Sequence, residues 1–185
     1  MNSQMTYLFG GDKPWNASQW IASDDRVRGG SSVSNLTVPS PDHAIFHGTL
    51  DTKTLGGAGF ASQRTVDDLS LNLNGTTGLE LCLGAGGSHH KFTLTVKDTI
   101  PESGPDGGDQ AGLSWEVNFG SPPRGGVVAR RWDQFHAMYR GREVEDAKPL
   151  DLTDVKRVSL MARRRVPPPP MQRELRRGIM SLTCV

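Results

Sequence analysis

Apolar and polar residues alternate along this chain in short bursts. Phe92, Leu94 and Val96 alternate with Lys91, Thr93, Thr95 and Lys97, the period of two expected where one strand face is buried and the other is wet. Leu69, Leu71 and Leu73 keep the same beat, as do Leu79, Leu81 and Leu83, and the turn sequence NGTTG between them joins adjacent strands. Leu113, Trp115, Val117 and Phe119 repeat the pattern with aromatic, strand-favouring residues. Further strands are predicted over 44–50, 58–65, 127–131 and 155–162, and only WDQFHAMYR, residues 132–140, offers a short helix. An all-β fold follows, an antiparallel β-sandwich of jelly-roll rather than barrel type. The segment DTIPESGPDGGDQAG, residues 98–112, is too polar and too rich in Gly and Pro to pack, so it is predicted to be a long loop.

Composition narrows the classes. The 185 residues suit a single domain. No apolar run approaches the roughly 20 residues that cross a bilayer, and MNSQMTYLFGGDKPW shows neither a secretory signal nor an Arg-rich presequence. The expectation is a soluble, intracellular chain whose two distant cysteines, Cys82 and Cys184, are free thiols. The net charge of +1 is uneven, because six Arg and one Glu fall after residue 160 and leave the rest acidic overall. That balance argues against a nucleic acid as a partner of the body, since any such contact would rest on the C-terminal residues alone.

The candidate chemistry is sparse. LGGAGFAS and LGAGGSHH contain G-x-G but lack the third small residue, the following helix and the lysine of a phosphate cradle. His43 and His47 are set on a predicted strand, where four residues span about 13 Å, too far to share an ion. His89 and His90 read as surface histidines at a loop edge, and Ser31, Ser32 and Ser34 as cap and turn residues. No catalytic residue, cofactor or metal site is expected.

Two charged segments share their ingredients. SDDRVRGGSS, residues 23–32, sets Asp24 and Asp25 against Arg26 and Arg28 before Gly29 and Gly30, and YRGREVEDAKPLD, residues 139–151, sets Arg140 and Arg142 around Gly141. Arginine suits planar, bidentate pairing with carboxylates, and glycine admits close backbone approach. Two roles are open for the pair: an ion-pair lock joining Asp24 or Asp25 to Arg140 or Arg142 at one rim, or a surface that also meets a partner.

Four segments in order, WIASDDRVRGGSSVSNL, FHGTLDTKTLGGAGFASQRT, LSLNLNGTTGLELCLG and YRGREVEDAKPLDLTDVKRVSLM, resemble the complex I intermediate-associated protein 30 family over roughly residues 7–162. The resemblance implies a galactose-binding-domain-like β-sandwich with a non-enzymatic role, holding intermediates of mitochondrial respiratory complex I (NADH:ubiquinone oxidoreductase) during assembly. It implies protein partners and no cofactor. Asp24, Asp25, Arg26, Arg28, Gly29 and Gly30 match the N-terminal family motif, and Arg140 and Gly141, with Arg142 beside them, the late one. The family role implies a mitochondrial location, while the lack of a visible presequence makes the cytoplasm the alternative. A carbohydrate-binding module and an RNA-binding factor are the other readings, the first requiring aromatic platforms from Trp15, Trp20, Trp115 or Trp132.

The chain departs from the family after residue 162, with ARRRVPPPPMQRELRRGIMSLTCV in place of a final apolar strand. Four prolines donate no ladder hydrogen bonds. The domain is therefore assigned to residues 1–162 and a basic, proline-rich tail to 163–185. Either Ile179, Met180 and Leu182 supply a makeshift strand or the sandwich keeps an open edge.

Overall fold

A computed structural model describes residues 6–66, 69–87, 91–105, 110–164 and 173–184. It contains thirteen strands and no α-helix among the described residues. In chain order the strands are β1 (Thr6–Phe9), β2 (Trp20–Ala22), β3 (Val33–Ser40), β4 (His43–Leu50), β5 (Gly59–Thr65), β6 (Gly78–Leu83) and β7 (Lys91–Lys97). They continue with β8 (Ser114–Gly120), β9 (Gly126–Arg131), β10 (His136–Tyr139), β11 (Arg142–Glu143), β12 (Arg157–Arg164) and β13 (Arg173–Cys184).

Two antiparallel sheets form the sandwich. One runs β3-β4-β13-β6-β9 with β1 added beside β13, and the other runs β11-β10-β8-β7-β12-β5-β2. Period-two alternation puts Phe46 and Leu81 of the first sheet and Phe92, Leu94, Val96 and Leu160 of the second into the shared core. Phe46 meets Phe92 edge-on at 6.2 Å, and Phe92 stacks on Phe119 at 5.6 Å. Near β1 and β2, Phe9, Trp15 and Trp20 form a second aromatic nest with centroids 5.0–5.7 Å apart.

Strands expected over 44–50, 58–65, 127–131 and 155–162 are β4, β5, β9 and β12 within two residues. The Leu69–Leu73 run is different. Only an isolated bridge joins Leu71 to Val155, because Ser70 at φ 50° breaks the extended backbone. The expected helix at 132–140 is also corrected: Trp132–Gln134 is one 3-10 turn and His136–Tyr139 is strand. Trp132 and Phe135 mimic a helical spacing, whereas buried Phe135 and Ala137 beside exposed His136 obey the strand period. Residues 98–105 and 110–113 carry no regular structure. His89, His90, residues 106–109 and the prolines at 167–170 lie outside the described residues.

The largest correction concerns the boundary at 162. Residues beyond it form β13, which pairs with β4 from Arg173 to Ile179 and with β6 from Ile179 to Cys184. It lies inside the six-stranded sheet rather than beyond it. Its alternation is hidden by a register shift between Ile179 and Ser181. That bulge sends Ile179 and Leu182 to the same face, where they are 2 % and 0 % exposed. The partner strand β1 has a register shift of its own between Tyr7 and Phe9, opposite Thr183 and Leu182, and buries the consecutive pair Leu8 and Phe9.

Removing residues after Ala162 should therefore abolish cooperative unfolding, since it strips β4 and β6 of their common neighbour. Leu182→Ala should cost about 2–5 kcal/mol, the range for emptying a packed leucine site, measured as a lower urea midpoint at unchanged slope. A truncated chain that melts like the full one would refute the central placement of β13.

Candidate functional site

The site grows from the place where β2 stops. β2 pairs with β5 only from Trp20 to Ala22, opposite Thr65 to Gln63, so the amides of Ser62 and Phe60 on that edge lose their strand partner. On the facing sheet, β3 is an edge strand in register with β4 from Val33 onward, and the amides of Ser32 and Ser34 point to its unpaired side. Buried amides without acceptors are costly. Asp24 and Asp25 supply those acceptors.

Asp24, 7 % exposed, accepts the Ser34 amide at 2.9 Å and the Ser62 amide at 2.8 Å. Asp25, fully buried, accepts the Ser32 amide at 3.0 Å and the Phe60 amide at 3.1 Å. Each carboxylate thus bridges one amide of β5 and one of β3 or its lead-in residue. A serine hydroxyl completes each arrangement: Ser34 Oγ donates to Asp24 at 2.6 Å, and Ser32 Oγ donates to Asp25 at 2.7 Å. The same hydroxyls accept from Gln63 Nε2 at 3.0 Å and from the Asp51 amide at 3.0 Å. Two parallel relays result, each polarising the next bond in line.

The chain between these anchors is a 3-10 turn, Asp25–Arg28, closed by Gly29 at φ 78°. Gly30 then passes so near the Asp25 carboxyl that a Cβ there would lie 2.3 Å from it, which is why the second glycine is required. The base is buried and the tip is displayed. Arg26 and Arg28 are exposed, and Val27 between them is 85 % exposed. Arg28 lies over the Phe60 ring, 5.6 Å from its centroid. Beside this turn, the Asp51 carboxylate accepts from the Thr54 hydroxyl and, at 2.8 Å, from the Lys53 amide. The Thr54 hydroxyl first, then the Lys53 amide, hold the Asp51 carboxyl below the usual carboxylate range.

Arg140 and Gly141, at φ 50° and 78°, form the two-residue turn between β10 and β11, which pair Tyr139 with Arg142. Arg140 stacks on Tyr139 at 5.4 Å, and Arg142 is exposed. The expected lock between the two segments does not form. β10 and β5 are separated by β8, β7 and β12, about 19 Å at ordinary strand spacing, and the Asp24 and Asp25 oxygens already carry donors. The carboxylates hold the loops through serines and amides rather than through arginines. Ser62 and Val27 are the residues that sequence reasoning missed, and Ser32 and Ser34, expected as cap and turn residues, bind the two aspartates. The spacing of Ser32 and Ser34, two apart after adjacent aspartates, was the signal.

None of the four tryptophans is an exposed platform. Trp15 and Trp20 are 4 % and 6 % exposed, Trp115 is partly buried, and Trp132 Nε1 donates to the Thr76 carbonyl at 3.1 Å. His43 and His47 both sit on β4, and no group of three or more metal-ligating side chains occurs among the described residues. No helix among them is long and apolar enough to cross a membrane.

The architecture is that of the galactose-binding-like jelly rolls. A family 11 carbohydrate-binding module from Clostridium thermocellum, solved with a β-1,3-1,4-mixed-linked tetrasaccharide, superposes with a TM-score of 0.63 at 10 % identity, covering 98 % of this chain and 95 % of the module. The family 11 module of the cellulosomal cellulase Lic26A-Cel5E of the same organism gives 0.61 at 10 % identity, covering 100 % and 96 %. Residues 8–175 match the family described as complex I intermediate-associated protein 30, and the chain belongs to that family. An uncharacterized protein of Schizosaccharomyces pombe is 40 % identical over 167 residues, covering 86 % of this chain and 75 % of its own length.

Asp25→Ala should destabilise strongly, because it orphans the amides of Ser32 and Phe60 at about 1–3 kcal/mol each. Gly30→Ala should reproduce much of that loss, whereas Arg28→Ala and Arg140→Ala should be small and additive in thermal melts. Coupling between those two arginines would restore the lock.

The depressed Asp51 carboxyl has its own signature. A group whose folded pKa lies below the unfolded value of about 3.9 stabilises fully above that value and loses its contribution as pH falls through the folded one. Thr54→Val should accordingly shrink the stability gained on raising the pH through this acid limb, as read by urea midpoints from pH 2 to 6. An unchanged limb would show that Thr54 does not set the Asp51 titration.

Proposed function

We propose that this chain is a non-enzymatic, chaperone-like assembly protein that holds intermediates of mitochondrial respiratory complex I. Family membership supports the role. The observation that carries it to particular residues is the Arg26-Val27-Arg28 tip, an apolar residue 85 % exposed between two exposed cations on a buried base. Exposing a valine between arginines does nothing for the core, while arginine and apolar anchors on a rigid support are what a protein interface uses. The Tyr139-Arg140-Gly141-Arg142 hairpin is a second displayed element of the same kind, with Tyr139 42 % exposed. Its distance from the first suits a partner that spans the seven-stranded sheet.

Asp24, Asp25, Gly29 and Gly30 act in this reading by positioning, and Arg26, Val27, Arg28, Arg140 and Arg142 by contact. No turnover is involved. A carbohydrate role at the loop rim would need tryptophan platforms that the core and Thr76 occupy, and RNA contacts would meet a body that is acidic up to residue 160.

A pull-down from mitochondrial extract, scored for complex I intermediates, tests the proposal. Val27→Asp should abolish capture, and Arg26→Lys and Arg142→Lys should weaken it by loss of the planar fork, all with melting temperatures unchanged. Failure of the wild-type chain to recover any intermediate, or equal recovery by all three variants, would refute it.

A further inference from the structure

The two ends of the sandwich carry opposite charge. Strand register fixes which loops meet at each end: Phe60 of β5 lies opposite Arg163 of β12, Phe92 of β7 opposite Ala162, and Gly120 of β8 opposite Lys91. In the other sheet Leu50 of β4 lies opposite Arg173 of β13, and Leu83 of β6 opposite Gly126 of β9. One end therefore gathers residues 23–32, 51–58, 84–87 and 121–125. Among the described residues, every exposed charge at this end is a cation: Arg26, Arg28, Lys53, Lys91 and Arg124. Asp24, Asp25 and Asp51 are buried there, held by amides and hydroxyls.

The neighbouring charges do not cancel this excess. Arg163 and Glu116 pair at 2.9 Å, and the strand ends add Arg164 and Arg173 against Glu174, so cations outnumber carboxylates even with the buried ones included. The opposite end is acidic. It exposes Asp42, Glu102, Asp133, Glu145, Asp146 and Asp151, which outnumber its exposed cations Lys13, Arg131, Arg140, Arg142 and Lys148. Crowding like charges on one rim opposes folding by self-repulsion, so the core gains nothing from the segregation.

From this polarity we infer that the cationic end docks on an anionic lipid surface, with the strands upright on the bilayer. The lengths support the orientation. β7 alone is seven residues long, about 23 Å, whereas the field of a charge fades within about 8 Å at physiological salt. The surface thus attracts the near end and scarcely meets the far one. Each cation at such a surface is worth about fivefold in affinity, and cations carried on four separate connections form an array spread over the end face, suited to a plane of headgroups. Between them the loops expose Gly56, Ala58, Ala85, Gly86 and Pro123, whose small size lets headgroups close in. A single-stranded nucleic acid would need rings on which to stack its bases, and Phe60, the partly buried ring of this rim, already has Arg28 over it. The docking is peripheral and does not rest on the assembly role.

The test is sedimentation of the full chain with phosphatidylcholine vesicles, with and without phosphatidylglycerol, at physiological salt. The chain should pellet with the anionic vesicles alone. Exchanging both cations outside the Arg26-Val27-Arg28 tip, Lys91→Glu with Arg124→Glu, should weaken this binding by at least about 25-fold, the worth of two cations, at an unchanged melting temperature. Lys13→Glu with Lys148→Glu makes the same change in net charge at the acidic end and should leave binding as it is. Should the first pair misfold, Lys53→Gln decides the matter, with an expected loss of about fivefold. No binding to the anionic vesicles, or equal losses from the two pairs, would overturn the site. So would displacement by a poly(U) oligonucleotide, or by inorganic phosphate at matched ionic strength, either of which would assign the rim to a soluble anion. A Lys91→Glu, Arg124→Glu protein that loses the vesicles yet still captures complex I intermediates from detergent extract separates lipid docking from the assembly role. A wild-type chain that ignores the vesicles, with capture lost in that pair, would make the rim a protein contact and refute the lipid surface.

Discussion

Two carboxylates placed between two sheet edges hold this sandwich together at its β3–β5 side. A two-layer β fold must do something with the amides left where one edge strand ends early, and here Asp24 and Asp25 substitute for the missing strand on both layers at once. A neutral side chain could accept some of these bonds, but an ionised carboxylate offers stronger, shorter ones and has room for a serine hydroxyl as well. The glycines follow from this demand. Gly30 leaves space for the Asp25 carboxyl, and Gly59 leaves space for the Asp51 carbonyl, which a Cβ would approach to 2.0 Å. The string of charges and glycines is thus mostly an instruction about backbone amides, with its tip left exposed.

The opposite side of the sandwich is sealed by the opposite charge. β9 is an edge strand of the six-stranded sheet, and β8 pairs with β10 only from Ser114 to Glu116. The Arg130 guanidinium donates to its own Ala129 carbonyl at 2.6 Å and to the Asn118 carbonyl of β8 at 3.1 Å. Anions gather amides on one flank and a cation gathers carbonyls on the other. Each ion answers the backbone polarity that its edge exposes, which protects both flanks from pairing with foreign strands.

The sandwich was legible wherever one face is buried and the other wet, because strict alternation is then enforced, as in β6, β7 and β8. It became illegible where geometry interrupts the period. The bulge after Ile179 put Ile179 and Leu182 on one face and disguised the longest strand as a tail. Ser70 at positive φ let a strand-like leucine series run without a strand. β2 and β10, of three and four residues, are too short to show a period. At the candidate site, the sequence displays charge and close-approach glycines but not their partners. Arginines beside aspartates suggested ion pairs, while the actual acceptor demand came from amides on strands distant in sequence, Phe60 and Ser62, which no spacing reveals.

β13 joins β4 and β6 only through contacts far apart along the chain, with Arg173 opposite Leu50 and Cys184 opposite Leu79. Such non-local pairing makes folding slow. Until the segment from residue 173 onward arrives, β4 and β6 each keep a bare inner edge, and the half-built sheet is adhesive in the way that unpaired strands are. A protein arranged like this passes through an interval in which it needs shelter itself.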